Sequence, residues 1–77
     1  MPRYKEEVLN LKVKINGIQE EIEETSIFDL LKKRNIEPKM VSVELNSEIL
    51  DKEDLPNIRL REGDALEFLY FMGGGRL

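Results

Sequence analysis

From Leu9 the chain alternates, with Leu9, Leu11, Val13 and Ile15 separated by Asn10, Lys12 and Lys14. That period of two predicts a strand with one buried face and its lysines on the other. Asn16-Gly17 follows, the pair suited to a type I′ hairpin turn, which needs positive φ at both positions. The return strand is expected over Ile18 to Glu24, with Ile18 and Ile22 inward. Its Glu20, Glu21, Glu23 and Glu24 read as a solvated edge that discourages edge-to-edge pairing.

Ser26 opens a helix, and Asp29 stands three residues on, at capping-box spacing and at the positive end of the dipole. Ile27, Leu30 and Leu31 form its apolar stripe; Lys32, Lys33 and Arg34 fall in the last turn, where they complement the negative helix end. Asn35 suits the left-handed position beyond the helix, and Pro38 prevents continuation. Val41, Val43 and Leu45 alternate with Ser42 and Glu44 as a third strand, Asn46-Ser47 turns the chain, and Glu48 to Leu50 makes a short strand. Asp51 to Arg61 reads as irregular, pinned by Leu55, Ile58 and Leu60, with Pro56 arguing against a central strand. Glu62-Gly63-Asp64 turns into a final strand, Ala65 to Met72.

One helix can cover only one face of such a sheet. The chain crosses through the helix to the far side, and the last strand returns to the middle, parallel to the first. The order predicts an α+β fold of the β-grasp, or ubiquitin-like, type: a mixed sheet of four to five strands with one main helix on one face. On the final strand Leu66 and Phe68 should face the helix, with Tyr70 a further candidate for that side. Glu67, Leu69 and Phe71 should face away. An uncovered Leu-Phe pair on so small a domain reads as a docking surface, with Lys12 and Lys14 beside it. The competing readings are a homodimer patch or cover from the N-terminal residues. A partner matching this surface would offer an apolar pocket rimmed by carboxylates.

Seventy-seven residues bound the chain to one small domain, expected as a flexible extension over 1–7, a folded unit over 8–72 and a flexible Gly-rich tail over 73–77. Cysteine and histidine are both absent, which excludes disulfides, soft-ligand zinc sites and His-activated nucleophiles. No catalytic residue and no metal ligand is assigned. A net charge of −4 argues against nucleic acid, and no apolar run or signal segment points to a membrane, so a cytoplasmic location is expected. The chain ends Gly73-Gly74-Gly75-Arg76-Leu77. Without Cβ atoms, three glycines can enter a channel closed to side chains.

Val13 to Gly17, Ser26 to Leu31, Val41 to Asn46, Glu62 to Glu67 and the terminal glycines together resemble the ThiS family, the sulfur carriers of thiamine thiazole synthesis, and the related MoaD carriers of molybdopterin synthesis. Phe71-Met72-Gly73-Gly74-Gly75 is closer to ThiS. The resemblance implies a protein substrate rather than an enzyme, with no bound cofactor. In that family the C-terminal glycine, here Gly75 after Gly74, is adenylated with ATP by a partner of ThiF or MoeB type. A sulfur donor such as a cysteine desulfurase system then yields a thiocarboxylate, which gives its sulfur to a ThiG-like thiazole synthase or another acceptor enzyme. Leu69, Phe71, Met72, Lys12 and Lys14 would meet the partner, with Gly73 in the tail. Family members end at the glycine pair, whereas Arg76 and Leu77 follow here. The expected remedy is a protease that trims after Gly75. The alternatives are a ubiquitin-like modifier joined through the same glycine, and a β-grasp interaction module with an inert tail.

Overall fold

A computed structural model describes residues 9–70 of the chain. Strand β1 is Asn10–Ile15 and β2 is Ile18–Glu23, joined antiparallel through Asn16 (φ 52°) and Gly17 (φ 85°). Both turn residues take the left-handed conformation that the Asn-Gly pair predicts. The helix α1, Ile27–Lys33, starts at Ser26, whose Oγ accepts the Asp29 N–H at 3.0 Å. It stops at Asn35 (φ 60°), where the Ile36 N–H bonds the Leu31 carbonyl and the Asn35 N–H that of Lys32. That pair of bonds is a Schellman closure, which satisfies two carbonyls the helix leaves open.

Strand β3 is Val41–Leu45 and β4 is Glu48–Ile49, joined through Asn46 (φ 51°) and Ser47 (φ 76°). Strand β5, Ala65–Tyr70, closes a five-stranded sheet of order β2-β1-β5-β3-β4. As expected for a β-grasp, β5 lies in the middle, parallel to β1 and antiparallel to β3. Ile27, Leu30 and Leu31 of the helix meet Val13, Ile15, Val41, Val43, Leu66 and Phe68 from the sheet, with Leu55 and Leu60 closing the core. Each fully buried aliphatic or aromatic side chain here stabilises the fold by about 1.5–3 kcal/mol.

Several expectations need correction. Residues 52–57 are not irregular: Lys52–Asn57 is a 3-10 segment that carries Leu55 into the core. The following backbone clamps the helix start, the Ile27 N–H bonding the Ile58 carbonyl and the Leu60 N–H the Thr25 carbonyl. Ile18, expected inward, is 65% exposed. It faces the same side as its register partner Ile15, but it stands at the hairpin end of the edge strand β2, past the cover of the seven-residue helix, whereas Ile22 further along packs against the core. Tyr70, at 58% exposure, likewise lies beyond the helix, although it pairs with the buried Val41. Leu9 precedes β1 and is exposed.

Glu20 departs from the solvated-edge reading. Its register partner is the buried Val13, so its side chain lies on the helix side, where Arg34 grips it through two contacts, Nη2 to Oε1 at 2.5 Å and Nη1 to Oε2 at 3.4 Å. Hydrogen bonding from Arg34 holds the Glu20 carboxyl below its usual range, and the neighbouring positive charge acts in the same direction. Arg34 thus ties the helix end to the edge strand, which a local helix-dipole reading does not foresee.

Candidate functional site

The helix covers one face of the sheet, and among the described residues no element covers the other. On β5, alternation sends Leu66 and Phe68 into the core and Ala65, Glu67 and Leu69 to the bare face. Leu69 is 51% exposed, at the strand end from which the chain runs on toward the glycines. Of the residues expected to meet a partner, Phe71 and Met72 lie outside the described residues, as do Gly73, Gly74 and Gly75.

Lys12 and Lys14 share this face but do not stand beside Leu69. Lys14 is level with Ala65, and the Gly63 N–H bonds the Lys12 carbonyl at 2.8 Å. Because β1 and β5 are parallel and β1 stops at Ile15, the lysines fall at the beginning of β5 and Leu69 near its end. Leu69 lies four residues along the strand from Ala65, about 13 Å. Sequence alternation assigns residues to a face, but only the register says where along that face they stand. The lysines instead line a shallow groove with Gln19, Glu62 and Ala65. There the Glu62 carboxylate accepts the Lys12 N–H at 2.9 Å.

Two asparagines that read in sequence only as turn formers hold β5 in place. The Asn16 N–H donates to the Leu66 carbonyl at 2.9 Å, and its Oδ1 accepts the Phe68 N–H at 2.8 Å. The side chain therefore continues the β1 ladder one step past the end of the strand. On the other side of β5, the Asn46 N–H donates to the Ala65 carbonyl (2.8 Å) and Asn46 Oδ1 accepts the Ala65 N–H (2.9 Å). Asn46 Nδ2 also donates to Asp64 Oδ1, while Asp64 Oδ2 accepts the Arg61 N–H. Both turns need left-handed residues, and asparagine supplies that conformation together with a side-chain acceptor. The result is a strand fixed on both sides before it leads into the tail. Partners 52 and 19 residues away are invisible to local pattern reading.

Among the described residues no group of three or more acidic side chains is placed to hold a metal ion. No helix among them is long and apolar enough to cross a membrane.

Residues 13–75 match the ThiS family. The chain belongs to that family. It is 42% identical over 50 residues to the sulfur carrier protein ThiS of Bacillus subtilis (strain 168), a stretch covering 65% of this chain and 76% of that protein. The crystal structure of the thiamine biosynthesis protein (ThiS) from Geobacter metallireducens superposes with a TM-score of 0.73 at 36% identity, over 84% of this chain and 100% of that one. An NMR solution structure of a thiamine biosynthesis protein from the same organism gives a TM-score of 0.71 at 37% identity, over 87% and 91% of the two chains. With ThiS membership the reading as a small sulfur carrier rather than an enzyme stands, as does the β-grasp fold.

Proposed function

We propose that this ThiS-family chain carries sulfur as a thiocarboxylate on the Gly75 carboxyl group, for the thiazole branch of thiamine biosynthesis in the cytoplasm. The observation that carries the reading is the family match itself, which runs through the glycines and stops at Gly75, two residues before Leu77. The sequence of chemical steps follows from the electrophile. A free carboxylate resists attack by sulfur, so a ThiF- or MoeB-like partner joins a Gly75 carboxylate oxygen to the α-phosphorus of ATP and releases pyrophosphate. A persulfide on a donor such as a cysteine desulfurase system then attacks the acyl carbon and displaces AMP, and a thiol reduces the resulting acyl disulfide, becoming a disulfide itself and releasing the thiocarboxylate. The thiocarboxylate passes its sulfur on in a ThiG-like thiazole synthase.

The division of labour follows from the residues. The domain over 8–72 is the handle; of the tail over 73–77, residues 73–75 enter the partner's active site once a protease has removed Arg76 and Leu77. Glycine at 73, 74 and 75 keeps that entry free of side chains. Leu69, with Phe71 and Met72 following, is the apolar contact at the root of the tail, and Lys12 and Lys14 are an outer electrostatic contact at the far end of the same face. The bare sheet face and the exposed Leu69 support this assignment.

Intact-mass analysis of the protein isolated from its own cells tests the proposal. The expected pool contains a species ending at Gly75, part of it with one sulfur in place of one oxygen. A pool consisting only of unmodified chain ending at Leu77 would overturn it.

A further inference from the structure

The bare face carries a feature that costs the isolated domain stability. Glu44 of β3 and Glu67 of β5 are direct register partners. Their neighbours Val43, Leu66 and Phe68 point into the core, so both carboxylates project from the opposite face. Like charges directly opposite one another across two strands are destabilising. Among the described residues the ion pairs are Lys33–Glu23, Arg34–Glu20 and Arg59–Glu24, and neither Glu44 nor Glu67 takes part in one. Apolar side chains flank the pair on this face. Ile49, 70% exposed, is the register partner of Glu44; Leu69, two residues beyond Glu67, is opposite Ser42.

We infer that Glu44 and Glu67 form the seat for an arginine of the adenylating partner, set between apolar side chains that cover Ile49 and Leu69. The inference rests on the carrier reading above and assigns that partner's surface chemistry. A planar guanidinium presents several N–H donors and can bridge two neighbouring carboxylates, which an ammonium does less well. The charge pattern of the face also fixes direction: Leu69 lies nearest the root of the tail, Glu67 and Glu44 two residues back from it, and Lys14 two residues further back, level with Ala65, with Lys12 beyond. A partner that is basic at the mouth of its active site and acidic further out would fit in one orientation, the one that aims the tail inward. The surface required next to Leu69 is then basic, and a carboxylate rim on the partner would meet Lys12 and Lys14 further back along the face.

The test titrates the chain ending at Gly75 with its adenylating enzyme, comparing the wild type with Glu44→Gln/Glu67→Gln and with Glu67→Arg. Glu53→Gln serves as a control for net charge. The double glutamine variant is isosteric and keeps or raises the melting temperature, so weaker binding cannot come from unfolding. Its dissociation constant should rise roughly ten- to hundredfold with a flatter salt dependence, and Glu67→Arg should weaken binding further. Unchanged affinity in the double variant, with the wild type bound and adenylated, overturns this inference and leaves the carrier reading standing. A wild type neither bound nor adenylated overturns both. Two other occupants would also overturn it. A second copy of the chain would show as concentration-dependent dimerisation that the glutamines strengthen. Arg76 of the chain itself would show as Glu44 and Glu67 resonances that shift when residues 76 and 77 are removed.

Discussion

On β5 the side chains of Leu66 and Phe68 are 0% and 4% exposed, whereas Leu69, the next residue, is 51% exposed. The two faces of one strand thus divide the work. The inner face is closed by Ile27, Leu30 and Leu31 of the helix and by Leu55 and Leu60 from the segment beyond β4. Among the described residues nothing covers the outer face in this way; it carries opposed carboxylates, two lysines and scattered apolar side chains. In a domain this small the inner face has to supply nearly all the burial energy. The outer face is therefore free to be shaped by a partner, even at some loss of stability in the free protein.

Substitutions can break that contrast or sharpen it. The largest effect is expected from Phe68→Ala, which should destabilise the fold by about 3–5 kcal/mol and leave a domain of this size near its unfolding limit. Chemical denaturation followed by circular dichroism measures it. Next is Asn16→Gly, which keeps the left-handed turn but strands the Phe68 N–H that Asn16 Oδ1 now accepts. A loss of about 1–2 kcal/mol is expected, with faster hydrogen exchange at the Phe68 amide.

Leu69→Ala should reverse the pattern. Stability should change by less than about 0.5 kcal/mol, as for exposed positions generally, while affinity for the adenylating partner falls roughly tenfold. Equal loss of stability and affinity would show that Leu69 belongs to the core side of the contrast. Smallest is the pH effect of the Glu20–Arg34 pair. The folded-state Glu20 carboxyl is held below its usual 4.5, so the pair's contribution is fully present above pH 4.5. It fades as the pH falls through the lower folded value. Both side chains are about one-third exposed, so the contribution is well under 1 kcal/mol. Comparing the acid limb of the stability curve with that of Glu20→Gln isolates it.

Most of the fold was legible because its signals are local. Asn16-Gly17, Ser26 with Asp29, and Asn35 before Pro38 each fix a boundary by backbone chemistry within a few residues. The alternation of Val41, Val43 and Leu45 marks a strand with one buried face. What escaped depends on contacts distant in sequence. Ile18 and Tyr70 follow the inward alternation yet lie past the reach of a seven-residue helix. Alternation puts Lys12 and Lys14 on the right face but does not say at which end, because a parallel register is not written in either strand alone. The opposed Glu44 and Glu67 and the grip of Asn16 on Phe68 arise from the same long-range pairing. The glycines carry no periodic signal; their lack of Cβ atoms says only that they can enter a narrow channel, and the chemistry expected there rests on the family resemblance, joined by the match over residues 13–75.

The most direct test of the carrier reading is the mass of the chain ending at Gly75 after incubation with its adenylating partner, ATP and a sulfur donor. The account predicts that one oxygen is replaced by one sulfur, with the change confined to the C-terminal peptide. An unchanged mass, with the partner demonstrably active on another carrier, would contradict it.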